Sequence, residues 1–294
     1  MLRKKSLLLS LLAVVGISFS SRAQEAQDTS YWSLLGNTGL TLNQVNLSNW
    51  SAGGENAIGF NLTFDYAADY KKDKQLWNNR IELAYGLNNT KSDGSKKTSD
   101  KLYLSSTYGY GIAKNLYLSA LTTFQTQFDA GYNYNTDPRT YISNFMSPGY
   151  LTIGTGLTWT PKSWFVATFT PTSWRGVFLT SDILSAEGQY GVDPGSHMFT
   201  EFGANLQMEA QYEVIKNINV FSRLSLFSDY LLNPQNVDVN WDVQVNMKIN
   251  KWFSATISTS LIYDDNILIE QADGTKTQKL QFKETLGVGF QMAF

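Results

Sequence analysis

Few residues in this chain have the type and spacing to do chemistry. The only histidine is His197. For it to orient a nucleophile, a hydroxyl would have to share its side of the chain. Ser196 is adjacent, but successive side chains of an extended segment point to opposite faces. The position two residues on, where a barrel phospholipase would carry serine, is Phe199. No catalytic set is expected. Asp264 and Asp265 could hold a divalent cation, but two adjacent carboxylates fall far short of a cage of about six oxygens. Neither a metal nor a cofactor is expected. Gly154 and Gly156 lie inside an apolar–polar alternation, so they mark close packing or a bend rather than a phosphate loop.

The remaining candidates are charges on a polar face. Arg80 and Asp65 are equidistant from a tight turn at Lys72-Asp73, which predicts that they face one another. Glu209 and Arg223 stand in the same relation about Lys216, with Asp242 and Gln244 on the following strand; Glu82 falls on the same face as Arg80. These charges are expected to line an interior, either as neutralising pairs or as a lining that shapes the field a solute crosses.

The elements that position them are strands. From Ile58 to Tyr70 the even positions are almost all apolar and aromatic, and between them lie Gly59, Asn61, Thr63, Asp65, Ala67 and Asp69. Val237 to Ile249 repeats the pattern with its apolar residues at odd positions. Such alternation places every second side chain against an apolar phase. Soluble strands usually run about 5–6 residues, whereas a tilted membrane strand needs roughly 9–11. The segments 35–46, 56–70, 76–89, 99–112, 115–130, 149–160, 163–173, 199–215, 218–231, 236–249, 251–264 and 278–294 make about twelve strands, most of them of membrane length. The fold expected is all-β: a transmembrane antiparallel up-and-down β-barrel over 35–294.

Connections alternate in length, apart from one near Asn233-Pro234 that is short where a long one is expected. Short joints at Lys71–Gln75, Ala113–Lys114, Pro161–Lys162, Lys216–Asn217 and Asn250 separate longer ones at Leu47–Glu55, Thr90–Thr98, Gly131–Pro148, Trp174–Met198 and Asp265–Thr277. Outer-membrane barrels have short periplasmic turns and long extracellular loops, which puts both ends of the chain on the periplasmic side. Trp77, Trp164, Trp252 and Phe253 beside the short joints, and Trp50, Tyr150, Trp174, Tyr230 and Tyr263 toward the long ones, predict two aromatic girdles. Glu284 departs from the pattern by falling on the apolar face of the last strand; an outer rim or a bulge would accommodate it. Within Trp174–Met198, the apolar residues Phe178, Leu184 and Tyr190 are candidates for a constriction or a lid over the mouth.

The start of the chain fits the same address. Arg3, Lys4 and Lys5 precede a mostly apolar run from Leu7 to Ser20, and Ser21-Arg22-Ala23 offers a cleavage site. Residues 1–23 are expected to be a signal peptide and 24–34 a short periplasmic segment. Without the leader, 23 − 4 = 19 basic residues face 25 acidic ones, and no basic block tracks a phosphate backbone. Nucleic acid is therefore excluded as a partner. There is no cysteine. A mean hydropathy of −0.24 is compatible with a barrel, in which only alternate strand residues meet lipid.

Five ordered motifs carry a family resemblance: Asn49-Trp50-Ser51-Ala52-Gly53-Gly54, Trp77-Asn78-Asn79, Ser147-Pro148-Gly149-Tyr150, Gly188-Gln189-Tyr190-Gly191-Val192-Asp193-Pro194-Gly195 and Tyr263-Asp264-Asp265. With them the chain resembles a family of Gram-negative outer-membrane barrels known only as a domain of unknown function. The resemblance implies a barrel and an outer-membrane address and carries no site residue. The terminal Phe294 on an alternating strand resembles the signature read by the barrel assembly machinery. That machinery and outer-membrane lipid are the partners expected, with a small solute or a protein as a further one. The polar inner faces point to a pore or transport barrel; a closed, partner-binding barrel is the second reading and a lipid-modifying barrel enzyme a distant third.

Overall fold

Alternation at period 2 leaves each segment one face for lipid and one for an interior, and closing the sheet on itself pairs every strand without leaving a free side. A computed structural model describes residues 31–46, 56–134, 136, 138–270 and 275–294. The expected leader, its cleavage site, residues 24–30, the Asn49–Gly54 motif and Trp50 lie outside the described residues. The strands are β1 (Trp32–Val45), β2 (Ala57–Lys72), β3 (Gln75–Thr90), β4 (Gly94–Ala113), β5 (Leu116–Thr126), β6 (Gly131–Asn133), β7 (Thr140–Ser143), β8 (Gly149–Lys162), β9 (Phe165–Phe178), β10 (Met198–Ile215), β11 (Ile218–Asp229), β12 (Asp238–Lys248), β13 (Phe253–Tyr263), β14 (Leu268–Glu270), β15 (Lys276–Gln278) and β16 (Gln281–Ala293). Among the described residues, one short α-helix, α1 (Asp182–Ala186), and a 3-10 turn at Gln189–Gly191 interrupt them. Twelve strands form an antiparallel closed barrel in the order β1-β2-β3-β4-β5-β8-β9-β10-β11-β12-β13-β16, while β6–β7 and β14–β15 are small hairpins within long connections. The barrel begins at Trp32, three residues before the start expected from the alternation.

Burial is inverted relative to a soluble protein. Leu34, Leu62, Leu118, Trp241 and Leu286 are exposed on the outside, while Glu82, Glu201, Arg223, Thr158 and Thr170 are buried within. A closed barrel with this polarity is built for a lipid phase. At the short-turn rim Trp32 packs against Tyr70 and Trp77 at 5.2 and 5.7 Å between ring centroids, and Trp164 against Tyr212 at 5.7 Å. This is an aromatic girdle. Three of the short turns place Asp73, Asn115 and Asn217 at positive φ, a conformation that Asp and Asn adopt more readily than other side chains.

The structure corrects several expectations. The β2–β3 turn is centred on Asp73-Lys74, one residue later than read, so pairing shifts by two: Asp65 lies opposite Glu82, and Arg80 opposite Ala67. Thr90–Thr98 is no long loop, because β3 and β4 run on to Thr90 and Gly94. Tyr150 points inward beneath the long loops rather than joining a girdle; its register partner Val177 is buried in the mouth. Glu284 stays outward opposite Thr259 in an unbroken register, with no bulge.

Gly156 illustrates how the wall is packed. A Cβ there would lie 1.9 Å from the carbonyl oxygen of Phe169, where the β8–β9 register shifts. Gly156→Ala is expected to lower stability by about 1–3 kcal/mol, as overpacking does, read as a lower urea midpoint for refolding into lipid vesicles.

Candidate functional site

Because inward side chains recur at every second position, one register row carries charge across several strands. Glu209, Arg223, Asp242, Ser260 and Lys283 follow one another on β10, β11, β12, β13 and β16. Asp65 and Glu82 are neighbours on β2 and β3. In the ring of twelve, β3 is opposite β11 and β4 opposite β12. Yet Arg223 grips Glu82 through two N–H groups, the Nη2–Oε2 contact being 2.9 Å, and Lys101 Nζ lies 2.9 Å from Asp242 Oδ2. Lys101 also reaches Glu82 at 2.9 Å, Arg223 reaches Asp242 at 3.0 Å, and Ser260 donates to Asp242 at 2.7 Å. Arg80 pairs with Glu209 at 3.5 Å rather than with Asp65.

These contacts require the barrel to be pinched. Twelve strands spaced about 4.8 Å apart and tilted about 40° would close a circle roughly 24 Å across. An arginine and a glutamate meeting end to end span only about 12 Å between Cα atoms. Opposite walls must therefore approach at this level. The Arg223 guanidinium lies 4.0 Å from the Tyr103 ring centroid and that of Arg80 4.7 Å from Phe221, so aromatic faces shield the charges.

The pinch divides the lumen unequally. On the β5–β10 side the space is filled: Tyr117 and Leu121 are buried, Thr158 bonds Thr168 at 3.0 Å, and Thr170 bonds Ser173 at 2.6 Å. On the side of β1–β3 and β11–β16 a chamber of about 860 Å³ remains. It runs from Lys251 and Trp252 at the short-turn rim up to Ser99 and Ile262 near the other end. Its walls carry amides and hydroxyls, such as Asn61, Asn240, Gln244 and Ser258, among charged and apolar side chains. Of the lumen candidates, Asp65, Arg80, Glu82 and Asp242 face this chamber, while Glu209 and Arg223 sit in the pinch beside it.

The long-loop mouth is capped by the connection between β9 and β10. Val177, Leu179, Leu184 and Val192 form a buried apolar cluster, flanked by Tyr141, Tyr150, Tyr190 and Phe199. Ser181 caps α1 by accepting from Leu184 N, and the Ser181 N–H donates to Ser147 Oγ at 2.9 Å. Tyr190 Oη donates to the Ile142 carbonyl at 2.7 Å, and burial pushes its pKa up to about 12. Leu184 and Tyr190 are thus part of the cap. Phe178 is not: it ends β9 and shares the outer face with Trp174, both rings crowding the space beside Gly176. His197 Nδ1 bonds the Leu179 carbonyl at 2.7 Å on an exposed flank of the same loop.

Beneath the cap lies a second polar cluster that the sequence did not announce. Arg175 binds Glu201 through two N–H groups and also reaches Asp238, with its guanidinium 4.2 Å from the Phe227 ring centroid. Asn266 donates to Glu201 at 3.1 Å. Carboxylate oxygens of Asp238, Asp264 and Asp265 lie within 4.8 Å of one another, so these three could hold a divalent cation. Arg175 already binds the first, and the Asn233 and Asn236 amides bond the third at 3.1 and 2.8 Å. Three of the motifs behind the family resemblance, Ser147–Tyr150, Gly188–Gly195 and Tyr263–Asp265, meet at this mouth.

Residues 42–132 match a family model described as Protein of unknown function (DUF3078), and residues 188–290 one described as Protein of unknown function, DUF481. Both matches are to families of unknown function. That agrees with the motif resemblance. No curated protein matches the chain. Among solved structures, the chain is similar to an outer membrane channel from Pseudomonas putida F1, at 8% identity and a TM-score of 0.38, over 92% of this chain and 100% of the other. It is also similar to the translocator domain of the autotransporter NalP from Neisseria meningitidis, at 9% identity and 0.33, over 99% and 98%. The barrel itself rests on its own strand register.

Proposed function

We propose that the protein is an outer-membrane channel that passes, or selectively binds, a small polar solute through the open half of a pinched lumen. The observation that carries this reading is the chamber of about 860 Å³ that runs from the short-turn rim past the ion-paired pinch. Both β1 and β16 have an end at that rim, where the N–H of Gly36 donates to the Phe294 carbonyl at 2.8 Å. In a barrel with short periplasmic turns, this rim is the periplasmic one, and the apolar cap faces outward. Its surroundings are then outer-membrane lipid, and its insertion is the work of the barrel assembly machinery. The reading assigns the lumen to recognition and passage and places no reaction on it.

A second reading, a closed scaffold for a partner, is favoured by one specific feature: the Val177–Leu179–Leu184–Val192 cluster that seals part of the mouth. Cysteine modification separates the two, since the chain has no cysteine of its own. Gln244→Cys places a thiol on the chamber wall, and Thr168→Cys places one in the filled half. A charged methanethiosulfonate is expected to cut single-channel current through Gln244→Cys and leave Thr168→Cys unchanged. Current that ignores both modifications would remove the chamber from the path.

A further inference from the structure

Most of the ring is fully zipped, but one seam is not. β1 and β16 share five register pairs, from Asn37–Ala293 to Thr41–Gly289. Every other seam of the barrel has ten or more. Above Thr41, Leu42–Val45 pairs only with β2, and Gln281–Val288 pairs only with β13, although both remain strand. Among the described residues, the edges Leu42–Val45 and Thr285–Val288 thus face one another without pairing, in the half of the wall nearest the long loops. Hydrocarbon does not tolerate free backbone N–H and C=O groups, so whatever fills this slot in the membrane must bring polar atoms to it.

The slot has two chemically distinct sides. Outside, Leu42, Phe282 and Leu286 are exposed and apolar. Inside, Lys283 and Thr285 line the chamber, as does Asn61 on β2. Asp242, in the same register row as Lys283, is already held by Lys101 and Arg223. The Lys283 ammonium therefore faces the chamber with no ion pair among the described residues. A polar slot with a cation inside and a greasy approach outside fits one class of ligand. That class is an amphiphile whose acyl chain stays in the bilayer while its phosphate reaches the chamber.

We propose that the β1–β16 slot is a lateral opening through which a phosphate-bearing membrane lipid inserts its headgroup from the surrounding leaflet into the chamber, onto Lys283. This names the ligand class for the lumen and rests on the chamber being the recognition site. The free phosphate source is glycerol 3-phosphate, which arrives through water and has no need of the slot.

The test uses the refolded full-length barrel, lysophosphatidic acid as the probe and native mass spectrometry for occupancy. Continuing the Thr41–Gly289 register would set Gln44 opposite Leu286 on the outer face, so Gln44→Cys with Leu286→Cys, joined by a short bis-maleimide outside the chamber, bars the slot. Bridging is expected to weaken lysophosphatidic acid binding about tenfold or more, a change of about 1.4 kcal/mol or above, and to leave single-channel current intact. Lys283→Gln, which needs no cross-link, is expected to produce a similar loss. Equal binding before and after bridging, or equal binding by Lys283→Gln and the native chain, overturns the proposal. Binding of glycerol 3-phosphate as tight as that of the lysolipid also overturns it, because the acyl chain would then contribute nothing. A barrel that is electrically silent but still loses the lysolipid on bridging contradicts the channel and upholds the slot.

Discussion

Arg223→Ala is expected to destabilise the barrel by about 3–5 kcal/mol, the cost of leaving a buried charge without its partner. Arg223 and Glu82 are 5% and 7% exposed, so neither can turn to solvent for compensation. The arginine joins both carboxylates, as Lys101 also does, at 3.0 Å from Asp242 and through two N–H groups to Glu82. Without it, Lys101 alone must balance the pair. The measurement is the urea midpoint for refolding into vesicles. A double change, Glu82→Gln with Arg223→Met, removes both charges and is expected to recover most of the loss, since replacing a whole buried pair costs little. Single-channel current should rise in both, because one of the contacts that draw opposite walls together is gone. A stable Arg223→Ala barrel with native current would show that the ion pairs do not hold the pinch.

The second large effect falls on the cap. Leu184 is fully buried among Val177, Leu179 and Val192. Leu184→Asp forfeits the burial, about 2–5 kcal/mol on the scale of core truncations, and sets an unpaired carboxylate among apolar groups. The connection carries this loss by itself, because β9 and β10 pair along their length without it. It should therefore lift from the mouth while the barrel stays folded. Two readouts follow: glutamyl endopeptidase should cut at Glu187, and current should increase. Ile183→Asp, one residue away but 60% exposed, is the control expected to change neither.

The sequence made the wall legible because membrane strands repeat one rule. From Ile58 to Tyr70, every residue read as outward lies on the outer face, since a period of 2 fixes facing wherever the strand is regular. Glu209 opposite Arg223 was also readable, because the turn at Lys216-Asn217 is tight and the register is regular beyond the single shift between Glu213 and Ile215. Asp65 opposite Arg80 failed for a small reason: moving the turn centre by one residue keeps the facing and shifts the partner by two. The pinch was not readable. Glu82 and Arg223 are 141 positions apart and meet only because the ring is flattened, a property of how the interior packs rather than of any one strand. Arg175, Glu201 and Asp238 were missed because their pairing depends on strand ends carried beyond the expected limits of β9. In the cap, excess apolar residues marked a buried segment, but only packing shows that Leu184 lies inside it and Phe178 outside.

The central claim is that the unfilled half of the lumen conducts. Single-channel recording of the refolded full-length barrel in a planar lipid bilayer tests it most directly, with folding verified on the same sample. Small, uniform current steps are the predicted result, in keeping with a chamber confined to one side of a pinch. A barrel that is demonstrably folded and inserted, yet passes no current in any record, would contradict it.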